Sequence, residues 1–117
     1  MSEYEAAVKQ VPTEKAFYFF SDLGNYTGKS AASLKEFSQS IKEVDEKSLR
    51  FHLERGDFEN WIRGVLKDED LAGQIKQLHG ANLAAEELRN RLYATISKRM
   101  SQLTRPPTVQ KVSRPKM

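Results

Sequence analysis

A chain of 117 residues, 38% hydrophobic and 30% charged, has the material for one core of ordinary domain size but not for a core plus a deep substrate cavity, which weighs against an enzyme acting as a monomer. It contains no cysteine, so disulfide frameworks, thiolate nucleophiles and thiolate metal sites are excluded. The net charge of +3 is unevenly spread: residues 1–87 hold 11 Lys and Arg against all 16 Asp and Glu, whereas residues 88–117 hold 8 Lys and Arg and no acid, a split that points to an acidic partner surface or to contact between the two parts.

The N-terminus, Met1 to Glu5, is acidic and lacks the apolar stretch of a secretion signal. No apolar run approaches the roughly 20 residues that cross a bilayer. A cytoplasmic chain with no membrane contact is therefore expected. Residues 1–11 read as a flexible leader, residues 12–103 as a single helical domain and residues 104–117 as a disordered basic tail.

In chain order, Pro12-Thr13-Glu14-Lys15 has the form of a helix start, with Thr13 as cap and Glu14 near the positive end of the dipole. The aromatic run Ala16-Phe17-Tyr18-Phe19-Phe20 suits a buried strand as well as a helix. With Gly24 standing where a helix C-cap would, a helix is the reading adopted. Ser33-Leu34-Lys35-Glu36 fits a capping box, and Leu34, Phe37, Ile41 and Val44 then fall on one helical face. Asp45 opens a helix holding Leu49, Phe51 and Leu53 that Gly56 ends. Asp57 caps the next, with Phe58, Trp61, Ile62, Val65 and Leu66. Asp68 opens another, with Leu71, Ala72, Ile75 and Leu78, closed by Gly80. The longest helix runs from Asn82 to about Leu103 with Leu88, Leu92, Ile96, Met100 and Leu103 inward, and Pro106-Pro107 stops it. The expected fold is all-α: a compact bundle of five or six short helices with a long C-terminal helix and a disordered basic tail.

Several motifs suggest chemistry. Gly24 to Ser30 ends in Gly-Lys-Ser like a phosphate-cradling loop, but three residues rather than four separate its glycines, and a helix-to-helix turn accounts for it better. Arg55-Gly56-Asp57 spells an adhesion tripeptide and Asn25-Tyr26-Thr27 a glycosylation sequon, and both fail on compartment. His52, Glu54, Asp57 and Glu59 form an acid–base or metal cluster on paper, with His52 and Glu59 seven residues apart on one helical side, yet no second histidine lies near. Trp61 is core by its spacing, with a partner interface as the weaker alternative.

The basic C-terminal segment is the strongest functional clue. Arg91, Lys98 and Arg105 repeat every seven residues, Arg89 and Arg99 flank them, and Lys111, Arg114 and Lys116 continue into the tail. These eight cations are the candidate contacts for nucleic-acid phosphates or an acidic partner. The competing explanation is a solvated face favoured by the helix dipole, and no aromatic after Tyr93 offers a base-stacking platform.

The block Phe17-Tyr18-Phe19-Phe20, Asp22, Gly24 and Tyr26-Thr27-Gly28, followed by Ser33-Leu34 and Glu36-Phe37, resembles a family of small archaeal domains of uncharacterised function. So does the block Phe51-His52, Arg55-Gly56-Asp57-Phe58, Trp61-Ile62, Val65-Leu66 and Leu71-Ala72. The likeness spans about residues 15–78, outside the leader and the basic arm. It implies an archaeal, cytoplasmic helical domain and carries over no catalytic residue. The reading adopted is a non-enzymatic helical interaction or adaptor module with a protein partner, without cofactor or metal. Phosphate contact through the basic segment is the alternative, an enzyme or phosphate binder at Gly24–Ser30 comes last, and a homo-oligomer is left open.

Overall fold

In the computed structural model of the chain, which describes residues 9–104, a β-hairpin lies against five helices. A 3-10 turn, Thr13–Lys15, leads into β1 (Phe17–Asp22) and β2 (Asn25–Ala31), which pair antiparallel. The helices are α1 (Leu34–Glu43), α2 (Glu46–Arg55), α3 (Asp57–Gly64), α4 (Glu69–Lys76) and α5 (Ala85–Thr104).

The all-α expectation is thus overturned at the N-terminal quarter, where a hairpin replaces the first helix. Four consecutive bulky aromatics prefer extended backbone, where their rings stand on alternate faces. Phe17 and Phe19 point into the core, at 6% and 0% exposure, while Tyr18 and Phe20 take the opposite face. Because both faces carry rings, the alternation that marks a strand is invisible in the sequence. Asp22 pairs with Asn25 across the turn Leu23-Gly24, and Gly24 takes φ +78° there, which glycine adopts without strain. Further along, Phe19 pairs with Lys29 but Phe20 with Tyr26, so Thr27 and Gly28 bulge out of β2. The Thr27 hydroxyl closes the gap by donating to the Phe19 carbonyl at 2.7 Å.

The helices keep close to their sequence signals. Ser33 accepts the N–H of Glu36, and Glu36 in turn accepts the N–H of Ala32, a capping box whose return bond reaches one residue beyond the cap. That bond, with one from Gln10, holds the Glu36 carboxyl below the usual carboxylate range. Asp68 caps α4 through the Leu71 N–H. Asp45 occupies the N-cap position of α2 without a side-chain bond. Asp57 is no cap: Gly56 both ends α2 and precedes α3, so Asp57 is free for other partners. The long helix starts at Ala85 rather than Asn82, which has φ +58°.

Leu34, Phe37, Ile41, Val44, Leu49, Leu53, Phe58, Ile62, Leu71, Ile75, Leu88, Leu92 and Ile96 join the two strand phenylalanines in one core. The Phe17 ring centroid lies within 5.6 Å of those of Phe19, Phe37, Phe58 and Trp61. β1 packs on α2 and β2 on α1, while α5 packs on α1, α2 and α4. The leader is tied down at its end, where the Val11 N–H donates to the Ala32 carbonyl. Residues 1–8 of the leader and the tail beyond Thr104 lie outside the described residues.

Truncating Phe19→Ala removes a wholly buried ring and is expected to cost about 3–5 kcal/mol, whereas Leu23→Ser at the exposed turn should stay within about 0.5 kcal/mol of wild type. Urea unfolding monitored by Trp61 fluorescence compares the two.

Candidate functional site

Two strands carrying aromatics on both faces can bury only one of them here. The other face presents Tyr18, Phe20 and Tyr26, with the Tyr26 ring 6.0 Å from that of Tyr18 and 5.5 Å from that of Phe20. Leu23 projects from the turn at 78% exposure. Beside this face, α2 presents Phe51 with the Arg55 guanidinium 5.0 Å above its ring. Strand and helix together enclose a groove of about 460 Å³ walled by Tyr18, Phe20, Leu23, Phe51, Arg55 and Trp61. The Trp61 indole N–H is already used, donating to the Lys15 carbonyl at 2.7 Å.

His52 forms part of the groove's lining and is 4% exposed. Its Nε2 accepts the Phe20 backbone N–H at 2.8 Å, so that nitrogen carries no proton. Its Nδ1–H donates to Asp57 Oδ2, also at 2.8 Å. Burial pushes the imidazole below its ordinary titration range, against the opposing pull of Asp57. Arg55 Nε donates to the same Asp57 oxygen at 3.0 Å, and the Ser48 hydroxyl donates to the Phe20 carbonyl at 2.8 Å. With both ring nitrogens engaged, His52 acts as a bridge between helix and strand and has none left for a metal or for proton transfer.

The cluster of His52, Glu54, Asp57 and Glu59 is accordingly split. Asp57 joins His52, Glu54 is exposed, and Glu59 turns to His79, whose Nε2 lies 2.8 Å from its Oε1 but out of line for a hydrogen bond. Among the described residues no group of three His, Cys, Asp or Glu side chains could hold a metal ion. Lys29 sits on β2 and pairs with Glu43 at 2.6 Å, so the Gly24–Ser30 segment is a hairpin turn and bulge with its lysine engaged.

The basic segment divides in the same way. Arg89 Nη1 donates to the carbonyls of Ile41 and Val44 at 2.9 and 2.7 Å, satisfying the end of α1. Arg99 Nε donates to Asp68 Oδ2 at 2.8 Å while the other oxygen caps α4. Arg91 is exposed beside Glu87 and Lys98 is exposed. Arg105, Lys111, Arg114 and Lys116 lie outside the described residues. Sequence reasoning passed over Tyr18, Phe20, Leu23, Phe51 and Arg55 as a site. The signal present was the pair of extra aromatics in Phe17–Phe20 and an apolar residue placed in a turn.

A family pattern described as a family of unknown function, DUF5752, matches residues 13–115. The chain belongs to the DUF5752 family. No curated protein and no solved structure matches it. The DUF5752 match takes in every element from the 3-10 turn to α5 and runs on to residue 115, so it includes all of the basic arm's cations but Lys116, an arm that the sequence likeness left out.

The histidine bridge has a pH signature. Because the His52 pKa is lowered from 6.5, the folded chain binds fewer protons than the unfolded chain just below that pH. The stability it contributes is complete above pH 6.5 and drains away as the pH falls from there towards the lowered value. Melting temperature should decline from pH 7.5 to 5, and the decline should flatten in His52→Gln; parallel curves would exclude the assignment. Separately, Arg99→Ala should cost on the order of 1–3 kcal/mol by leaving Asp68 half-satisfied, with Arg91→Ala near neutral, both read by urea unfolding.

Proposed function

We propose that this DUF5752 chain is a non-enzymatic interaction module that takes an extended segment of a partner protein into the groove between β1 and α2. One observation carries the reading: the outer face of the hairpin is aromatic, and among the described residues no layer covers it. A small antiparallel sheet ordinarily turns a polar face to water. Here Tyr18, Phe20 and Tyr26 stand in place of polar residues, joined by Leu23 and Phe51. Rimmed apolar patches mark interaction sites on soluble proteins, and Tyr and Trp are the residues most enriched where binding energy concentrates. The groove is open and shallow, which suits a chain segment better than an enclosed small molecule.

The non-enzymatic part of the proposal draws support from the full engagement of His52 and Lys29. Among the described residues, no helix is long and apolar enough to cross a membrane. The proposal extends to a cytoplasmic setting in an archaeal cell, which the cysteine-free composition and the resemblance of residues 17–72 support. Phosphate contact through the basic segment has less behind it, because Arg89 and Arg99 serve the chain's own helix ends.

Selection from a displayed library of random 12-residue peptides on the purified full chain tests the proposal. Binding of micromolar affinity is expected, with amide shift changes in NMR confined to residues 16–26 and 51–61. Leu23→Asp, at an exposed position, should weaken the selected peptides about tenfold, equivalent to about 1.4 kcal/mol. Failure to enrich any peptide, or shifts that map away from this face, would overturn it.

A further inference from the structure

We infer that the segment bound in this groove presents a carboxylate to Arg55, next to an apolar side chain that enters among Tyr18, Phe20 and Phe51. The inference rests on the groove being a docking site and adds what the docked segment must carry. Arg55 is held at two points. Its Nε is fixed by Asp57 Oδ2 at 3.0 Å, and its guanidinium lies over the Phe51 ring at 5.0 Å. Its two terminal nitrogens have no partner among the described residues, and the side chain is 50% exposed. A guanidinium fixed through Nε and a ring face keeps its end-on fork free, and that fork matches a carboxylate in two parallel hydrogen bonds.

The acids of the groove, by contrast, are already taken. Asp57 is shared by Arg55 and His52, and Asp22 pairs with Lys47 at 3.3 Å. A cationic segment would find no free carboxylate in the groove wall and would meet Arg55 as a like charge. Holding Arg55 in place before the partner arrives also removes part of the ordering cost that a free arginine incurs on binding. The aromatic floor supplies affinity, while the arginine selects for charge and register.

The same peptide library, selected on the full chain, decides this. Enriched sequences should share one Asp or Glu at a fixed distance from a large apolar residue. A synthetic copy with that acid changed to Asn or Gln should bind at least tenfold more weakly, and the affinity of the parent should fall as salt rises. Arg55→Gln, checked for an unchanged fold by its melting curve, should lose the preference. Peptides that map to the groove but are indifferent both to loss of their acid and to Arg55→Gln would overturn this inference and leave the groove standing. The absence of any groove-mapped peptide would overturn both. The peptide-side substitution leaves the protein untouched, so the result holds even where Arg55→Gln folds poorly.

Discussion

The backbone N–H of Phe20 points away from β2, and a two-stranded hairpin offers it no strand to donate to. Unpaired edge groups of this kind make isolated hairpins marginal in water. In this chain His52 and Ser48, one turn apart on α2, supply the missing acceptor and donor to the N–H and carbonyl of the same residue. Much else is arranged around that pair of bonds. They bring α2 alongside β1, orient Phe17 and Phe19 over Phe37 and Phe58, and oblige His52 to stay neutral. The groove exists because the helix that satisfies the strand edge also stands beside its aromatic outer face.

Those bonds also explain why a two-stranded sheet suffices. A third strand at the β1 edge would pair the Phe20 groups but would cover the rings of Tyr18 and Phe20 no better, since strands add beside a sheet and not over its face. Among the described residues, side chains close the edge at Phe20. The chain thereby keeps an open wall at Tyr18 and Leu23 while its buried face stays intact. Asp57, displaced from any capping role because Gly56 precedes α3, is free to anchor both the histidine below and the arginine at the rim.

Most of the helical architecture was readable because its signals are local and periodic. Ser33 and Asp68 cap as their types dictate, and the stripes Leu34–Val44, Leu71–Leu78 and Leu88–Ile96 are buried as spaced. The hairpin was unreadable for two reasons. Rings on both faces erase the period-two signal, and a glycine with positive φ serves a hairpin turn and a helix C-cap equally well. The fate of Arg89 and Arg99 was within reach: on the helical wheel Arg89 lies at the margin of the Leu88–Ile96 stripe and Arg99 falls within it, where a long side chain reaches over its neighbours. Their acceptors were not, since the open carbonyls of Ile41 and Val44 and the spare oxygen of Asp68 become visible only once α5 is laid across α1 and α4. The groove escaped because it depends on Phe51 and Tyr18 meeting across more than thirty residues, a juxtaposition that no spacing rule encodes.

The junction at Gly56 gives the molecule a rigid elbow. Its N–H closes α2 on the carbonyls of His52 and Leu53, and its own carbonyl accepts the Asn60 N–H that opens α3, so one residue at φ +80° belongs to two helices. There is no loop to absorb a change in length. Each residue added to a helix turns the rest of that helix by about 100°, so an insertion here would swing Trp61 off Phe17 and carry Asp57 away from His52 in a single step. The count of residues between Phe51 and Trp61 therefore behaves as a fixed dimension of this scaffold, much as the span of a bracket fixes what can be bolted to it.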